Sequence, residues 1–220
     1  MDSLKLFIYC AGGIGREIYD IAYKINMAEN TWDEISFIDD TISSGEVYGA
    51  FQCTYEQFKA KYHKSEVQVV VGNGEPKVRE ILFNKLIKDG YYITSVIDKT
   101  SCISRTAKIG QGSIIYPYTY ISSDAVIDEN CLVIAGSCIG HDTVVSKHSV
   151  ISTLVSISGN CFIGNNVYIG TKAVIKEKVR IGSYSIIGMG SCVFKDIPDE
   201  VIALGNPARE IKRNDNKKVF

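Results

Sequence analysis

The sequence predicts two joined parts, an α/β domain over residues 1–95 and an all-β parallel β-helix over residues 96–220. Three observations predict this. Ile or Val recurs every six residues from Ile97 to Val193; apolar runs before it alternate as βαβ(α)βαβ; and a glycine-rich turn separates the first strand from the first helix. Such alternation argues a small parallel sheet flanked by helices. A sustained period of six suits neither a lone helix nor an alternating sheet, but it suits a coil in which each hexapeptide is one short strand and one turn.

In chain order, residues 4–11 (LKLFIYCA) read as a strand, followed by Gly12, Gly13 and Gly15. A helix is expected from Arg16 to about Met27, a second strand in EISFIDD, a short helix in TYEQFKAKY, and a third strand in VQVVVGNG. EPKVREILFNKLIKDG reads as a helix and YYITSVID as a last strand leading into the repeat. The turn at Ala11–Arg16 offers backbone N–H groups and the positive end of a helix to a phosphate. It lacks a full GxGxxG, since Ile18 stands three residues after Gly15, so tight turning alone explains it equally well. Asp39 and Asp40 after the second strand, and Gly72, Asn73 and Gly74 after the third, fall on the same sheet edge, where ligands of such sheets bind.

Through the repeat, the branched residue fills the interior and favours extended backbone. A small or β-branched residue precedes it by two positions, as at Ser113, Thr143, Ser149 and Ala173. Three hexapeptides form an eighteen-residue triangular coil, and residues 97–193 give about five stacked coils. Of three histidines, His63 reads as a solvated surface residue, and His148 as a surface turn residue or a minor cofactor contact. His141 and Asp142 fall at a turn on a prism edge, and one coil later that edge carries Gly159. A histidine beside a position without a side chain offers a base, a nearby N–H donor and room for a thioester, the parts that acyl transfer needs. A carboxylate such as Asp142 orients the imidazole and stabilises its charged form. An ordinary surface turn remains the alternative. Two histidines in the repeat are too few for a three-histidine zinc site, so no metal is expected.

Composition sets bounds on function. Twenty-four basic residues against 25 acidic ones give no nucleic-acid surface. No apolar run is long enough to span a bilayer, and no signal peptide is read at the N-terminus. Seven cysteines without a CxxC read as reduced residues of a cytoplasmic protein.

The segments CAGGIGREIYDIA, FIDD, VVVGNG, GHDTVV and IGMGSCVFKDIPDEVIALGNPARE resemble, over nearly the full length, the bacterial sugar O-/N-acyltransferases with a Rossmann-like N-terminal domain. Those include the bacillosamine-pathway acetyltransferase and the sialic-acid O-acetyltransferases. The resemblance implies a left-handed β-helix and a cytoplasmic homotrimer with acetyl-CoA between subunits. His141 is then the general base and Asp142 its partner, with the donor along Gly159, Thr171 and Met189–Gly190. The acceptor is a nucleotide-linked sugar of surface glycan synthesis, with its nucleotide at Gly12, Gly13, Ile14, Asp39, Asp40 and Gly72 and its sugar toward His141. A 4-amino group is favoured as acceptor; a sugar hydroxyl, or a non-catalytic nucleotide-sugar-binding scaffold, are the alternatives. The chain departs from its relatives at Cys10, where glycine is common, at Ile14, where histidine is common, and at Val150, where many carry a second histidine. Lys195, Arg209 and Lys212 are candidates for the CoA phosphates, with plain surface charge as the other reading.

Overall fold

The computed structural model describes residues 4–41 and 45–219, so residues 1–3, 42–44 and 220 of the two expected domains lie outside the described residues. The N-terminal sheet has the order β3-β4-β2-β1-β5, from β1 (Lys5–Tyr9), β2 (Glu34–Ile38), β3 (Gly45–Val47), β4 (Ala50–Cys53) and β5 (Val67–Val71). β1 pairs in parallel with both β2 and β5, β2 pairs in parallel with β4, and only the β3–β4 hairpin is antiparallel. The helices are α1 (Gly13–Glu29), α2 (Tyr55–Lys61) and α3 (Pro76–Lys88). α1 buries Ile18, Ile21, Ala22 and Ile25 against the sheet, the spacing of one helical face. α2 begins in a capping box between Thr54 and Gln57, and α3 at Glu75 with Pro76 in its first turn. The expected last strand does not extend the sheet: only Ile93 bridges to Val69, and Val96–Ile97 pairs with Ile114–Ile115 of the repeat. The six-fold interior pattern already governs the chain there.

The repeat forms seventeen two-residue strands, β6 (Val96–Ile97) to β22 (Cys192–Val193), each ending on one of the periodic aliphatic residues. They stack as three parallel faces. Face one carries the strands ending at Ile97, Ile115, Val133, Ile151, Ile169 and Ile187. Face two carries those ending at Ile103, Ile121, Ile139, Ile157, Ile175 and Val193, and face three those ending at Ile109, Ile127, Val145, Ile163 and Ile181. The aliphatic ends fill the prism axis in one continuous cluster. β23 (Val201–Gly205) closes face one and folds back antiparallel onto β24 (Ala208–Arg213).

The corners explain two sequence features. Three residues after each aliphatic position from Ile109 to Ile187 the backbone turns left-handed, at Asn130, Asp142, His148, Asn160 and Asn166 among others, and at Gly112, Gly136 and Gly190. Asn and Asp tolerate that conformation better than other side chains, which suits their frequency there. The glycines directly after the aliphatic residue answer a different constraint: a Cβ at Gly140 would lie 2.5 Å from the Gly159 nitrogen of the next coil. Buried hydroxyls stitch consecutive coils. Ser149 Oγ donates to the Gly164 carbonyl at 2.8 Å and accepts from the Val167 N–H at 3.1 Å, and Ser113, Ser137, Thr143 and Ser185 repeat the arrangement.

The N-terminal domain covers face one. Outward Val96, Ile114, Leu132 and Val150 share a cluster with Leu6, Ile8, Ile18 and Ile21. α3 docks on the edge between faces three and one through Arg79, which is fully buried. Its guanidinium donates to the Asn130 carbonyl (2.9 Å), to Asn130 Oδ1 (2.8 Å), and to the carbonyls of Val71 and Asn73. Burial pulls the Arg79 pKa down to about 10, so it stays charged at neutral pH.

Candidate functional site

His141 and Asp142 lie on the edge between faces two and three, the corner opposite the covered face. Asp142 takes the left-handed corner conformation, which turns its carboxylate back to His141 Nδ1 at 2.7 Å. Both side chains are more than half exposed. With Nδ1 held by the carboxylate, Nε2 is the nitrogen free to take a proton. It faces Gly159: a Cβ there would meet His141 Nε2 at 2.5 Å. Counting one coil along the sequence finds this juxtaposition correctly, because the strands ending at Ile139 and Ile157 pair in register.

The expected donor residues do not gather around this pair within one chain. Thr171, Met189 and Gly190 stand on the edge between faces one and two, separated from Gly159 by the whole of face two. The sequence carried the signal, since positions 159 and 171 differ by two hexapeptides rather than by a full coil. Thr171 Oγ1 is paired with Ser152 Oγ at 2.9 Å, Met189 is 80 % exposed, and Gly190 has open space beside it.

The acceptor candidates cluster at the carboxyl ends of β1, β2 and β5, on the far side of the prism from His141. Gly12 and Gly13 face open space at the start of α1, whose N-terminus no side chain caps. Ile14 is half-buried against Gly74, and its carbonyl accepts from the Tyr116 hydroxyl at 3.4 Å. Asp39 is buried. Its Oδ2 accepts from the Ala11 N–H at 2.8 Å, and its Oδ1 from the Thr41 N–H and hydroxyl. Burial opposes its charge, but those hydrogen bonds outweigh it and hold the carboxyl below the usual range. Asp40 accepts from the Tyr9 hydroxyl at 2.6 Å and from the Tyr55 N–H, and it too is lowered against its burial. Both carboxylates therefore shape the turn before they meet any ligand. Gly72 is a packing residue as well: a Cβ on it would lie 2.9 Å from Gly15 Cα, and one on Gly15 would strike the Cys10 carbonyl. Cys10, at φ +90°, takes a backbone conformation natural to glycine, and burial pushes its thiol up to about 11.

His63 is exposed and caps the 3-10 turn at Lys64–Glu66. His148 is not the expected surface residue. It is buried between α3 and the prism, with Nδ1 2.9 Å from Asn130 Nδ2 and its ring edge-on to Phe83. Sequence periodicity placed it at a corner but could not say which corner the other domain covers. Val150 is likewise buried in that interface. Lys195 and Arg209 line one cleft, whereas Lys212 lines another beside the C-terminal tail. A cleft of about 330 Å³ between α1 and the prism, lined by Glu17, Asp20, Lys24, Tyr116, Ala135 and Thr153 among others, went unpredicted. Among the described residues, no group of three or more His, Cys, Asp or Glu could hold a metal, and no helix is long and apolar enough to cross a membrane.

The PglD N-terminal domain family matches residues 5–86, and the bacterial transferase hexapeptide family (six repeats) matches residues 160–195. GDP-perosamine N-acetyltransferase of Escherichia coli O157:H7 is 31% identical over 214 residues, covering 94% of this chain and 96% of that one. WeeI from Acinetobacter baumannii superposes with a TM-score of 0.88 at 30% identity, over 95% of this chain and 100% of that one. The acetyltransferase domain of PglB from Neisseria gonorrhoeae, in complex with acetyl coenzyme A, does so at 0.88 and 26% identity, over 95% and 100%. The chain spans about half the length, 46%, of a longer relative, the acyl-[acyl-carrier-protein]–UDP-N-acetylglucosamine O-acyltransferase of Nautilia profundicola. The prism is thus a left-handed hexapeptide β-helix, and the chain belongs to the bacterial sugar acetyltransferases that join a PglD-type N-terminal domain to a hexapeptide-repeat transferase domain.

Proposed function

We propose that the protein transfers an acetyl group from acetyl-CoA to the amino group of a nucleotide-linked sugar, with His141 as general base. The observation that carries this is the His141–Asp142 pair with Nε2 over Gly159. The acceptor nitrogen attacks the thioester carbonyl, Nε2 takes the proton the nitrogen sheds, the C–S bond breaks, and the imidazolium gives that proton to the departing thiolate. Asp142 holds the Nδ1 proton and stabilises the imidazolium between these steps. The relatives support the substrate classes: one is a GDP-perosamine N-acetyltransferase, and another binds acetyl coenzyme A.

Two features support a homotrimer with shared sites. The acceptor edge and His141 stand on opposite sides of one prism, so a second copy must bring them together. Face two and its edge with face one leave Tyr118, Tyr120, Leu154, Val174 and Met189 exposed, an apolar surface suited to another copy of the chain. In that arrangement Gly159 of one protomer and Thr171, Met189 and Gly190 of its neighbour flank the donor. The uncapped start of α1 at Gly12–Ile14 takes the acceptor's diphosphate, beside Asp39, Asp40 and Gly72. A cytoplasmic place in surface-glycan synthesis follows from this substrate class.

A thiol-release assay over UDP-, dTDP- and GDP-linked amino sugars tests the reading. His141→Ala should lower turnover roughly 10²–10⁴-fold, with the sedimentation profile of the assembly unchanged. Undiminished turnover removes His141 from the mechanism.

A further inference from the structure

After β24 the chain turns back toward α3, on the edge between faces three and one. Asn214 anchors it there. That residue is buried, its N–H donates to the Glu200 carbonyl at 2.7 Å, and its Nδ2 donates to the Tyr184 carbonyl at 2.8 Å. Tyr184 stands one coil beyond Asn166, in a register fixed by the strand pairs on either side of that edge. Lys217 Nζ lies 4.6 Å from the centre of the Tyr184 ring, and Lys77 Nζ of α3 lies 5.8 Å from the same ring. Two residues further on, the Val219 N–H donates to Glu75 Oε2 at 2.9 Å. Between Asn214 and Val219 the segment borders a cleft of about 360 Å³, with Ile202, Lys212 and Lys218 among its walls. The segment is thus held at its two ends rather than packed along its length.

Glu75 ends the loop that follows β5, the loop of Gly72, Asn73 and Gly74 at the acceptor edge. Its N–H donates to Asn73 Oδ1 at 2.9 Å, and its Oε1 accepts from the Lys77 N–H at the start of α3. A Cβ on Gly74 would lie 3.4 Å from Ile14 Cγ1, so the loop rests against the first turn of α1. Arg79 holds the loop through the Asn73 carbonyl at 2.9 Å, and Val219 holds it through Glu75. Glu75 is 8 % exposed. A backbone N–H given to a buried carboxylate is charge-assisted and about twice as strong as a neutral hydrogen bond. A shift of Glu75 would carry Gly74 with it, against Ile14 and the start of α1.

We infer that residues 214–219 form a strap that positions the Asn73–Glu75 loop for the acceptor, with Glu75 as the positioning residue and the Val219 N–H as its hold. This role rests on the acceptor-edge reading above and adds a segment that the N-terminal domain does not itself supply. Without the strap, the loop would be ordered only at the expense of acceptor binding. The donor candidates Gly159, Thr171, Met189 and Gly190 stand on the other two edges, away from the strap.

Val219→Pro tests it in the full chain, because proline removes the N–H while every residue of the N-terminal domain stays the same. The probe is the tightest-binding of the UDP-, dTDP- and GDP-linked amino sugars, followed by calorimetry. Val219→Pro should weaken its binding roughly tenfold, the worth of one charge-assisted hydrogen bond. KM for that sugar should rise by the same factor, while kcat, CoA affinity and the thermal midpoint match wild type. Amide exchange at Asn73, Gly74 and Glu75 should quicken. Glu75→Ala should lose as much acceptor affinity as Val219→Pro, and the two together no more than either alone. Glu75→Gln, which still accepts the hydrogen bond, should lose far less. Unchanged acceptor affinity in Val219→Pro, with or without faster exchange, overturns the positioning role. An equal loss of CoA affinity overturns it too, since that marks a general loosening. A wild type that binds the sugar but transfers no acetyl group overturns the acetyl-transfer reading alone, and the strap is then judged by affinity and exchange. A wild type that binds none of the sugars overturns both.

Discussion

A methyl group added at Gly159 would arrive 2.5 Å from His141 Nε2, so the imidazole must turn away. Gly159 is not among the residues with positive φ, so alanine fits its backbone. Gly159→Ala should therefore keep the thermal midpoint within a few degrees and lower kcat by about 10²-fold, the usual consequence of displacing a catalytic group by about an ångström. A variant that keeps full kcat would show that Nε2 does not act where the structure places it. Cys10 offers the opposite experiment. Its φ of +90° strains any side chain, and its thiol makes one weak hydrogen bond, with Asn73 Nδ2 at 3.6 Å, beside partial packing on the apolar cluster around Tyr9 and Val71. Relief of that strain is worth about 1–3 kcal/mol, offset by about 0.5–1 kcal/mol for the freer unfolded chain of glycine. Cys10→Gly should accordingly raise stability by about 1 kcal/mol in urea titrations.

At the scale of the element, the coil is held by more than its aliphatic interior. Ser149 satisfies one buried N–H and one buried carbonyl of the neighbouring coil at once. Ser149→Ala leaves both without that partner and should cost about 1–3 kcal/mol, read from denaturant curves; a loss under half a kcal/mol would mean that the backbone closes the gap by itself. The sequence showed only that small residues recur at this position, because spacing reveals size and not what a hydroxyl reaches. The seventeen strands from β6 to β22 were legible, since one interior position per hexapeptide must be branched and apolar. The β3–β4 hairpin was not. Its two-residue turn is Tyr48–Gly49, both with positive φ, and Tyr-Gly lacks the Asn or Asp that marks such turns. The site was legible where it depends on the eighteen-residue register, as His141 and Gly159 do. It was obscure where it depends on which face another domain covers.

The whole molecule turns on that last point, and His148 makes it measurable. Arg79 Nη2 occupies Asn130 Oδ1, so the amide presents its NH₂ to His148, whose Nδ1 must accept. A proton on Nδ1 would face that NH₂ group inside the domain interface. Burial lowers the His148 pKa, with Arg79 and Lys147 adding to the effect and Glu80 and Glu129 opposing it. The unfolded chain thus binds the proton more readily than the folded one. The stabilisation is complete above the unfolded value of about 6.5 and is lost as pH falls from there through the lower folded value. His148→Asn places at this left-handed corner the residue that already serves at Asn130 and Asn166. Urea titrations from pH 8 to pH 5 should show wild type losing stability relative to His148→Asn only below about pH 6.5. A constant difference across that range would mean that His148 titrates alike in the folded and unfolded chains. The interface would then owe its hold to Arg79 and the apolar cluster on face one, with no contribution from a neutral imidazole.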